Sequence, residues 1–405
     1  MLEALERMAA VTSKGLTAQP NAGLPRTLDG RRIYLSSPEY MAGYARDFIK
    51  LGARLVGGCC GTTPQHIAAI KAAVRSLRFE SARVTVQVPR AEVAALEPLP
   101  RANRSRLAKK LAQGEFTVLV EIVPPKGSDP TKEVEGARYL VEQGVDAVNV
   151  PDGSGATARM SAITLAGILQ QRAGIEVLLH YRARDRRLEN IQADLLGAGA
   201  LGLPNILAVT GYPPQFSTFP GTTDILEVDA IGLVNILSNL NRGLDAGGNP
   251  LGTQTGFLVG VALNPQALDS EEELRRFACK VKAGADFAVT PPIFDVAQFA
   301  RFLERLGDRP IPVLAGIWPL TSLRNAEYLN NEVPGVSVPP VIMERMRRAS
   351  TGDQARAEGL KIAQEILREL RGLIQGVQIA APFGRVTMAV EVAKVLRLAE
   401  ARRSP

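Results

Sequence analysis

The chain has 405 residues, 46% of them hydrophobic and 22% charged, which is ordinary for a globular protein and long enough for one full barrel plus an attached piece. No apolar run approaches the ~18–20 residues that span a bilayer, and residues 1–7 follow an amphipathic helical pattern rather than that of a signal peptide, so we expect no membrane association. The net charge is +7, but residues 78–110 contribute +5 of it and aromatic residues are only 5% of the chain, so we expect no nucleic-acid partner. Three cysteines, two of them adjacent, form no disulfide framework and favour a reducing cytoplasm.

The first 79 residues predict a short α/β unit. Its predicted elements are helices at 2–9, 38–51 and 64–77 and an apolar strand at 54–58. A break follows, in which prolines and arginines are scattered among apolar residues that show no sustained period. We therefore predict a first domain at 1–79, a linker at 80–111 and a second domain at 112–400.

In the second domain, short continuous apolar runs alternate with helical patterns. The predicted strands are residues 116–123, 146–150, 175–180, 205–210, 256–262, 286–290, 311–316 and 376–380. Such runs are typical of parallel strands buried on both faces, and Gly144, Gly174, Gly202 and Gly284 stand where the intervening helices should end. Eight β–α repeats predict an α/β chain with a TIM (β/α)8 barrel, preceded by a smaller piece.

Chemistry in such a barrel gathers at the C-terminal ends of the strands, so polar residues there are the candidates for function. Glu121 lies inside the first apolar strand, and both an acid paired with a cation of a neighbouring strand and a functional role are open for it. His180 ends the third strand, and both a structural and a catalytic role are open for it. The fourth strand runs into a turn that begins Thr210-Gly211-Tyr212.

Several segments, taken in order, resemble the flavin-dependent methylenetetrahydrofolate reductases along essentially all of residues 112–396. The segments are Val120–Lys126, Leu178–His180, Ala230–Leu233, Gly260–Pro265, Lys280–Asp286, Gly316–Leu320, Arg324–Gly335 and Ala381–Arg385. Each segment is a modest signal, but their order across one barrel is specific. The resemblance implies an FAD-containing barrel that uses NADH or NADPH to reduce 5,10-methylenetetrahydrofolate to 5-methyltetrahydrofolate, in one-carbon and methionine metabolism.

By position, the resemblance implies a role for each candidate. Glu121 matches the general acid, which helps to protonate the bridging nitrogen of the folate so that its five-membered ring opens. The cofactor-binding positions correspond to Asp152, His180, Thr210, Gly211, Asn264 and Lys280. The substrate-binding positions correspond to Pro291, Asn325 and Arg385. Among these, the lysine suits the flavin diphosphate and the arginine suits a carboxylate of the folate tail.

Two positions depart from the family pattern. Tyr212 stands where the family has the aspartate of a T-G-D-P-P turn, whose charge supports a cationic intermediate, whereas a phenol with a pKa of about 10 is neutral at pH 7. Losing one such electrostatic contribution typically lowers a rate by roughly 10²–10³. Pro291 stands where the family has the glutamine of a T-Q-P segment, which binds pterin and nicotinamide in turn. Both changes fall on the substrate side of the flavin.

Residues 1–79 resemble the C-terminal part of a homocysteine S-methyltransferase domain. The stretches that carry this resemblance are Pro20–Gly23, Ser37–Met41 and Gly57–Ile67. In that family, cysteines at the positions of Cys59 and Cys60 are two of three thiolate ligands of a zinc that activates homocysteine. Residues 1–79 contain no counterpart of the third ligand. We therefore expect zinc to bind only if the missing ligand is supplied from elsewhere.

Three hypotheses about function are open. The first is a reductase, impaired by Tyr212 and Pro291, with a folate as its small-molecule substrate. The second is a flavin- or folate-binding scaffold without this chemistry, acting as a partner of a separately encoded methyltransferase fragment or as a homo-oligomer. The third is an active reductase in which Tyr212 donates a hydrogen bond to the folate and another carboxylate provides the charge.

Overall fold

The structure, a computed structural model, describes most of the chain. The described residues are 1–23, 26–28, 31–34, 36–75, 95–153, 158–211, 225–307, 311–349 and 351–401. The chain divides into two compact units, Met1–Ala91 and Glu92–Pro405. Among the described residues, no helix is both long and apolar enough to cross a membrane.

The first unit is a small α/β assembly. Its elements are α1 (Leu2–Ala9), β1 (Leu16–Ala18), β2 (Arg26–Leu28), β3 (Arg31–Ile33), α2 (Pro38–Lys50), β4 (Ala53–Val56) and α3 (Pro64–Arg75). β1 and β4 pair in parallel, and β2 and β3 pair antiparallel. The three predicted helices and the strand β4 are confirmed in kind and place. The other three strands were not predicted, because a three-residue strand is too short to show a period of two.

The second unit contains the barrel. Its elements are α4 (Arg106–Ala112), β5 (Thr117–Glu121), α5 (Thr131–Glu142), β6 (Ala147–Val150), α6 (Ala162–Ala173), β7 (Glu176–Arg182), α7 (Leu188–Ala200), β8 (Asn205–Val209), α8 (Ala230–Leu240), β9 (Leu258–Ala262), α9 (Ser270–Ala283), β10 (Phe287–Pro292), α10 (Val296–Arg305), β11 (Val313–Ile317), α11 (Leu323–Glu332), α12 (Pro340–Arg348), α13 (Gly352–Leu370), β12 (Gly376–Ile379) and α14 (Val386–Ala401).

Strands β5 to β12 pair in parallel and close into a barrel, each next to its neighbour in sequence, with β12 returning to β5. The predicted TIM barrel is therefore confirmed, and all eight predicted strands are present. Gly174 and Gly284 end helices α6 and α9 in the left-handed conformation, with φ of 72° and 116°, which only glycine adopts without strain.

The two faces of each strand carry different side chains. Outward residues such as Val120, Val177 and Val377 join the main core between the strands and the surrounding helices. Inward residues such as Leu119 and Leu178 form a second, separate cluster in the lower part of the barrel. This alternation fixes which polar residues point into the barrel, because successive side chains of a strand lie on opposite faces.

Helix α4 packs against the inner cluster and was not predicted. Its residues Leu107, Ala108 and Leu111 are buried among the inward side chains of the strands. Glu176, the first residue of β7, accepts the backbone N–H groups of Arg106 and Leu107 at 2.7 and 2.8 Å. A carboxylate at this position satisfies two of the free N–H groups at the start of the helix. Residues 106–111 fall in the predicted linker, and the helix was not predicted because seven residues are too few to show a helical period.

Candidate active site

Four inward residues of alternate strands form one layer near the C-terminal end of the barrel. In a closed barrel of this type the register advances by about one residue per strand, so inward residues of every second strand share a level. Following the observed pairings, this layer contains Glu121 of β5, His180 of β7, Ala262 of β9 and Gly316 of β11. The acid and the histidine thus face the same space, and the other two side chains are small. Ala262 is exposed although it faces inward, so the barrel is open to solvent on that side.

Glu121 is a half-buried residue that faces the barrel interior. Burial raises the pKa of its carboxyl group from 4.5 to about 7. Among the described residues, no cation lies within ion-pairing distance of it, which argues against the interpretation as a salt-bridged acid. A carboxyl group with this pKa is partly protonated at neutral pH and can therefore deliver a proton.

His180 is a neutral histidine. Burial lowers its pKa from 6.5 to about 4, against the opposing effect of the Asp152 charge. Its Nε2 atom is buried and has no hydrogen-bond partner. A buried polar atom without a partner is rare in folded proteins, and at the mouth of a barrel it is a group that a ligand can satisfy.

Two further inward residues share this property and were missed in the sequence analysis. Asn149 of β6 is fully buried, and neither side-chain polar atom has a partner, while Gln378 of β12 has a buried carboxamide oxygen without one. Asn149 is the register partner of Glu121 on the adjacent strand. A period of two along each strand puts both on the face opposite to Val148, Val150 and Val377, but only the structure shows that this face lines the barrel.

Asp152 and Gly211 both lie close to Arg182, at the end of β7. Asp152 accepts the backbone N–H of Arg182 at 3.1 Å and pairs with Arg186 at 2.7 Å. The Arg182 side chain passes close to Gly211, which has a φ of +94°, and a Cβ atom there would lie 2.4 Å from its Cγ and Cδ atoms. Only glycine therefore fits at position 211.

Thr210 precedes this glycine, and its hydroxyl accepts the backbone N–H of Ala230 at 3.0 Å, at the start of α8. The neighbouring residue Tyr212, predicted to be catalytic, lies outside the described residues.

Asn264 follows the end of β9, and the side chain of Lys280, on helix α9, reaches the same place. The ammonium of Lys280 is buried, donates to the carbonyl oxygen of Ala262 at 2.8 Å and pairs with Glu273 at 3.5 Å. Burial lowers the pKa of Lys280, and the nearby Glu273 partly offsets this effect. Asn264 accepts the backbone N–H of Gln266 with its side-chain oxygen and donates its own backbone N–H to Glu273. In this structure both side chains support the loop after β9.

Pro291 lies in an irregular part of β10. The register with β11 shifts between Val289 and Pro292, as expected where proline has no N–H for the ladder. The hydroxyl of Thr290 compensates, accepting the backbone N–H of Gly316 at 3.1 Å while donating to the carbonyl of Pro291 at 2.7 Å. The segment is therefore bonded through a side chain where a regular strand uses its backbone.

Asn325 and Arg385 follow the ends of β11 and β12. The Asn325 side-chain oxygen accepts from Trp318 Nε1 and from the Thr321 backbone N–H, both at 3.3 Å. Arg385 is exposed and directly follows a short 3-10 turn in which Phe383, also exposed, has a φ of +58°. The structure thus places both predicted substrate-binding residues after strand ends of the barrel, the asparagine bonded and the arginine exposed.

Cys59 and Cys60 lie in the first unit, on the loop after β4. Both are exposed, with their Sγ atoms 3.9 Å apart. His66 is bonded through both ring nitrogens, to the Thr63 hydroxyl and to the Ser36 carbonyl, each at 2.8 Å. Within the part of the chain that the structure describes, no group of three or more His, Cys, Asp and Glu side chains is arranged to hold a metal ion. These residues alone do not fit a zinc site.

The chain is similar to two families along its length. The sequence model of the methylenetetrahydrofolate reductase family matches residues 106–381, and that of the homocysteine S-methyltransferase family matches residues 1–74. Methylenetetrahydrofolate reductase (NADH) 1 of Arabidopsis thaliana is 24% identical over 274 residues, which cover 64% of this chain and 44% of the plant protein. Methylenetetrahydrofolate reductase 1 of Schizosaccharomyces pombe is 27% identical over 234 residues, covering 55% of this chain and 36% of the yeast protein. The chain therefore spans less than half of either relative.

A solved structure has a similar fold. It is an uncharacterized protein from Clostridium thermocellum that binds two copies of 5-methyl-5,6,7,8-tetrahydrofolic acid, and it matches with a TM-score of 0.53 at 14% identity. The match covers 72% of this chain and 99% of that protein. At this identity the likeness concerns the fold alone. The reductase model, by contrast, spans more than half of the chain and coincides with the closed barrel, so the chain belongs to the methylenetetrahydrofolate reductase family.

Proposed function

We propose that the barrel is a flavin-dependent reductase that converts 5,10-methylenetetrahydrofolate to 5-methyltetrahydrofolate at the expense of NADH or NADPH. Family membership supports the reaction class. The single observation that carries the proposal is Glu121, whose carboxyl group is buried inside the barrel with a pKa of about 7. We further propose the division into a methyltransferase-like part at 1–79, a linker at 80–111 and the reductase at 112–400, acting in one-carbon and methionine metabolism.

The residues around the barrel mouth fit a flavin. Unpartnered buried atoms of His180 and Asn149 offer hydrogen bonds to a planar polar ring, and the exposed Ala262 leaves room beside them. When bound, FAD supplies the hydride transfer between nicotinamide and folate. We propose that the flavin is held by the cofactor-binding residues predicted above. They are Asp152, His180, Thr210, Gly211, Asn264 and Lys280.

Glu121 moves the proton of the reaction in this proposal. The carboxyl group gives its proton to the bridging nitrogen of the folate, and the bond between that nitrogen and the methylene carbon breaks. Hydride arriving at the same carbon completes the methyl group, while the nicotinamide is oxidised. Burial favours the protonated acid before the reaction, and the product nitrogen retains the proton that Glu121 has lost.

The substrate side carries the two departures. The β10 segment at Pro291 offers no amide side chain, and Tyr212 offers no carboxylate. We propose that these changes slow the folate half of the reaction, with Asn325 and Arg385 still binding the folate. A scaffold without turnover is the second candidate, and these two substitutions are the observation that favours it.

We propose that the first unit acts with a complementing methyltransferase fragment or in a homo-oligomer. Cys59 and Cys60 provide two thiolates, and a zinc site needs at least one more ligand from outside the described residues.

The test is product formation. The full chain is incubated with FAD, 5,10-methylenetetrahydrofolate and either NADH or NADPH, and 5-methyltetrahydrofolate is measured by mass spectrometry. We expect product from the natural chain and a loss of roughly 10²–10⁴ in rate for Glu121→Gln, because the amide cannot release a proton. Flavin binding without product from either protein would support the scaffold, and equal rates would remove Glu121 from the mechanism.

A further inference from the structure

Gln378 lies at the centre of the candidate site. Its neighbours Val377 and Ile379 face outward, so the glutamine faces into the barrel. It pairs in register with Gly316 on β11 and with Leu119 on β5. Gln378 thus lies on the strand between Gly316 and the strand that carries Glu121.

The environment of Gln378 does not satisfy its side chain. The carboxamide oxygen is buried and has no hydrogen-bond partner, which is costly for the folded state. Gln375, just before β12, provides the contrast, because its carboxamide oxygen accepts the backbone N–H of Val313 at 2.9 Å. An apolar side chain of the same size would fill the position of Gln378 without this cost.

The backbone of Pro291 comes close to Gly316, the register partner of Gln378. A Cβ atom at Gly316 would lie 2.7 Å from the carbonyl carbon and oxygen of Pro291, so no larger residue fits there. On the far side of this glycine, Pro292 is its register partner on β10, and Pro291 carries no hydrogen-bonding side chain. The inward carboxamide of Gln378 therefore lies across Gly316 of β11 from the β10 segment that carries no amide side chain.

We propose that Gln378 provides the amide that recognises the ligand heterocycle, in place of the amide missing at position 291. A carboxamide presents one acceptor and two donors, and it pairs with a group that presents an N–H beside a C=O. The lactam edge of a pterin and the carboxamide of a nicotinamide both have this chemistry. The inference rests on the proposed function and adds a specificity-determining residue to it.

The experiment measures binding by three variants of the full, FAD-loaded chain. The dissociation constant of 5-methyltetrahydrofolate is determined by calorimetry, and that of NADH from the concentration dependence of flavin reduction. We expect Gln378→Leu to raise the dissociation constant of the ligand that Gln378 recognises by roughly 10–100-fold, as for the loss of a buried hydrogen-bonded pair. Gln378→Glu, which keeps the shape, tests the same point if the leucine variant does not fold.

Gln170→Leu is the matched control. Gln170 also has a buried carboxamide oxygen without a partner, but it lies on the outer helix α6, where its Nε2 atom donates to the Gly202 carbonyl. We expect this variant to bind both ligands as the natural chain does. We also expect Pro291→Gln to restore affinity in the Gln378→Leu background, because it returns an amide to β10, on the other side of β11.

The outcomes separate the two proposals. Weaker folate binding alone identifies the pterin as the partner of Gln378, and weaker NADH binding alone identifies the nicotinamide. A natural chain that binds both ligands, with Gln378 variants that bind them equally well, overturns the inference and leaves the reductase intact. A Gln170→Leu control that loses as much affinity as the Gln378 variants overturns the inference as well. A natural chain that binds neither ligand refutes the proposed function, and this inference with it.

Discussion

The pKa of Glu121 makes a prediction about stability that does not depend on activity. Its carboxyl group has a pKa of about 7 in the folded chain and an ordinary value near 4.5 in the unfolded chain. Between these values the folded state binds more protons than the unfolded state, so the free energy of unfolding falls as the pH rises through this window. The 2.5-unit difference corresponds to about 3 kcal/mol, lost by pH 8.

Glu121→Gln removes this pH dependence because the amide does not ionise. Between pH 4.5 and pH 8 the natural chain should lose about 3 kcal/mol of unfolding free energy that the variant does not lose. The variant should therefore gain about 3 kcal/mol of stability relative to the natural chain over this range. The assay is denaturant unfolding without cofactor, followed by the fluorescence of Trp318, which is half-buried in the barrel and is the one tryptophan of the sequence. This signal reports on the barrel unit alone.

Glu142→Gln, on the exposed end of α5, makes the same substitution at the protein surface and is the matched control. A flat difference for Glu121→Gln would contradict the reasoning, since it would mean that the carboxyl group ionises as readily in the folded chain as in the unfolded one.

Three further predictions follow from the same site. In a proton NMR titration, the His180 imidazole should become protonated with a pKa of about 4, and a midpoint near 6.5 would be inconsistent with its burial. The low pKa contributes about 3 kcal/mol to the free energy of unfolding above pH 6.5, and this contribution is lost as the pH falls towards 4. Gly211→Ala should lower the free energy of unfolding by about 1–3 kcal/mol, because φ is +94° and the new Cβ atom would lie 2.4 Å from the Arg182 side chain. The control Gly127→Ala should change this free energy little, because no atom lies within 4 Å of its new Cβ atom. Tyr212→Asp combined with Pro291→Gln should raise the rate of the folate half-reaction by roughly 10²–10³, and an unchanged rate measured by stopped flow would favour the scaffold.

The barrel was predictable because its strands are buried on both faces. Mostly apolar runs such as residues 205–210 and 256–262 are long enough to stand out between helical patterns, and the strands β8 and β9 fall within them. The strand ends then indicated Glu121 and His180, and the structure brings these two side chains into one layer.

The sequence could not predict features that depend on three-dimensional neighbours. Helix α4 is recognisable only from its burial against the inward leucines and from the Glu176 carboxylate that caps it. Asn149 and Gln378 look like ordinary polar residues of short strands until the register shows that both face the barrel interior. The bonds of Lys280 to the end of β9 were likewise invisible, because they join residues that are 18 positions apart in the chain.

The central claim is that this barrel passes hydride from a nicotinamide to a folate, and the most direct test separates the two halves of the reaction. FAD-loaded protein is mixed anaerobically with NADH or NADPH and then with 5,10-methylenetetrahydrofolate, while the visible absorbance of the flavin is recorded. We expect the flavin to bleach in the first step and to recover its absorbance in the second. Bleaching without recovery would show that the folate half does not operate, and a protein that binds no flavin would contradict the account as a whole.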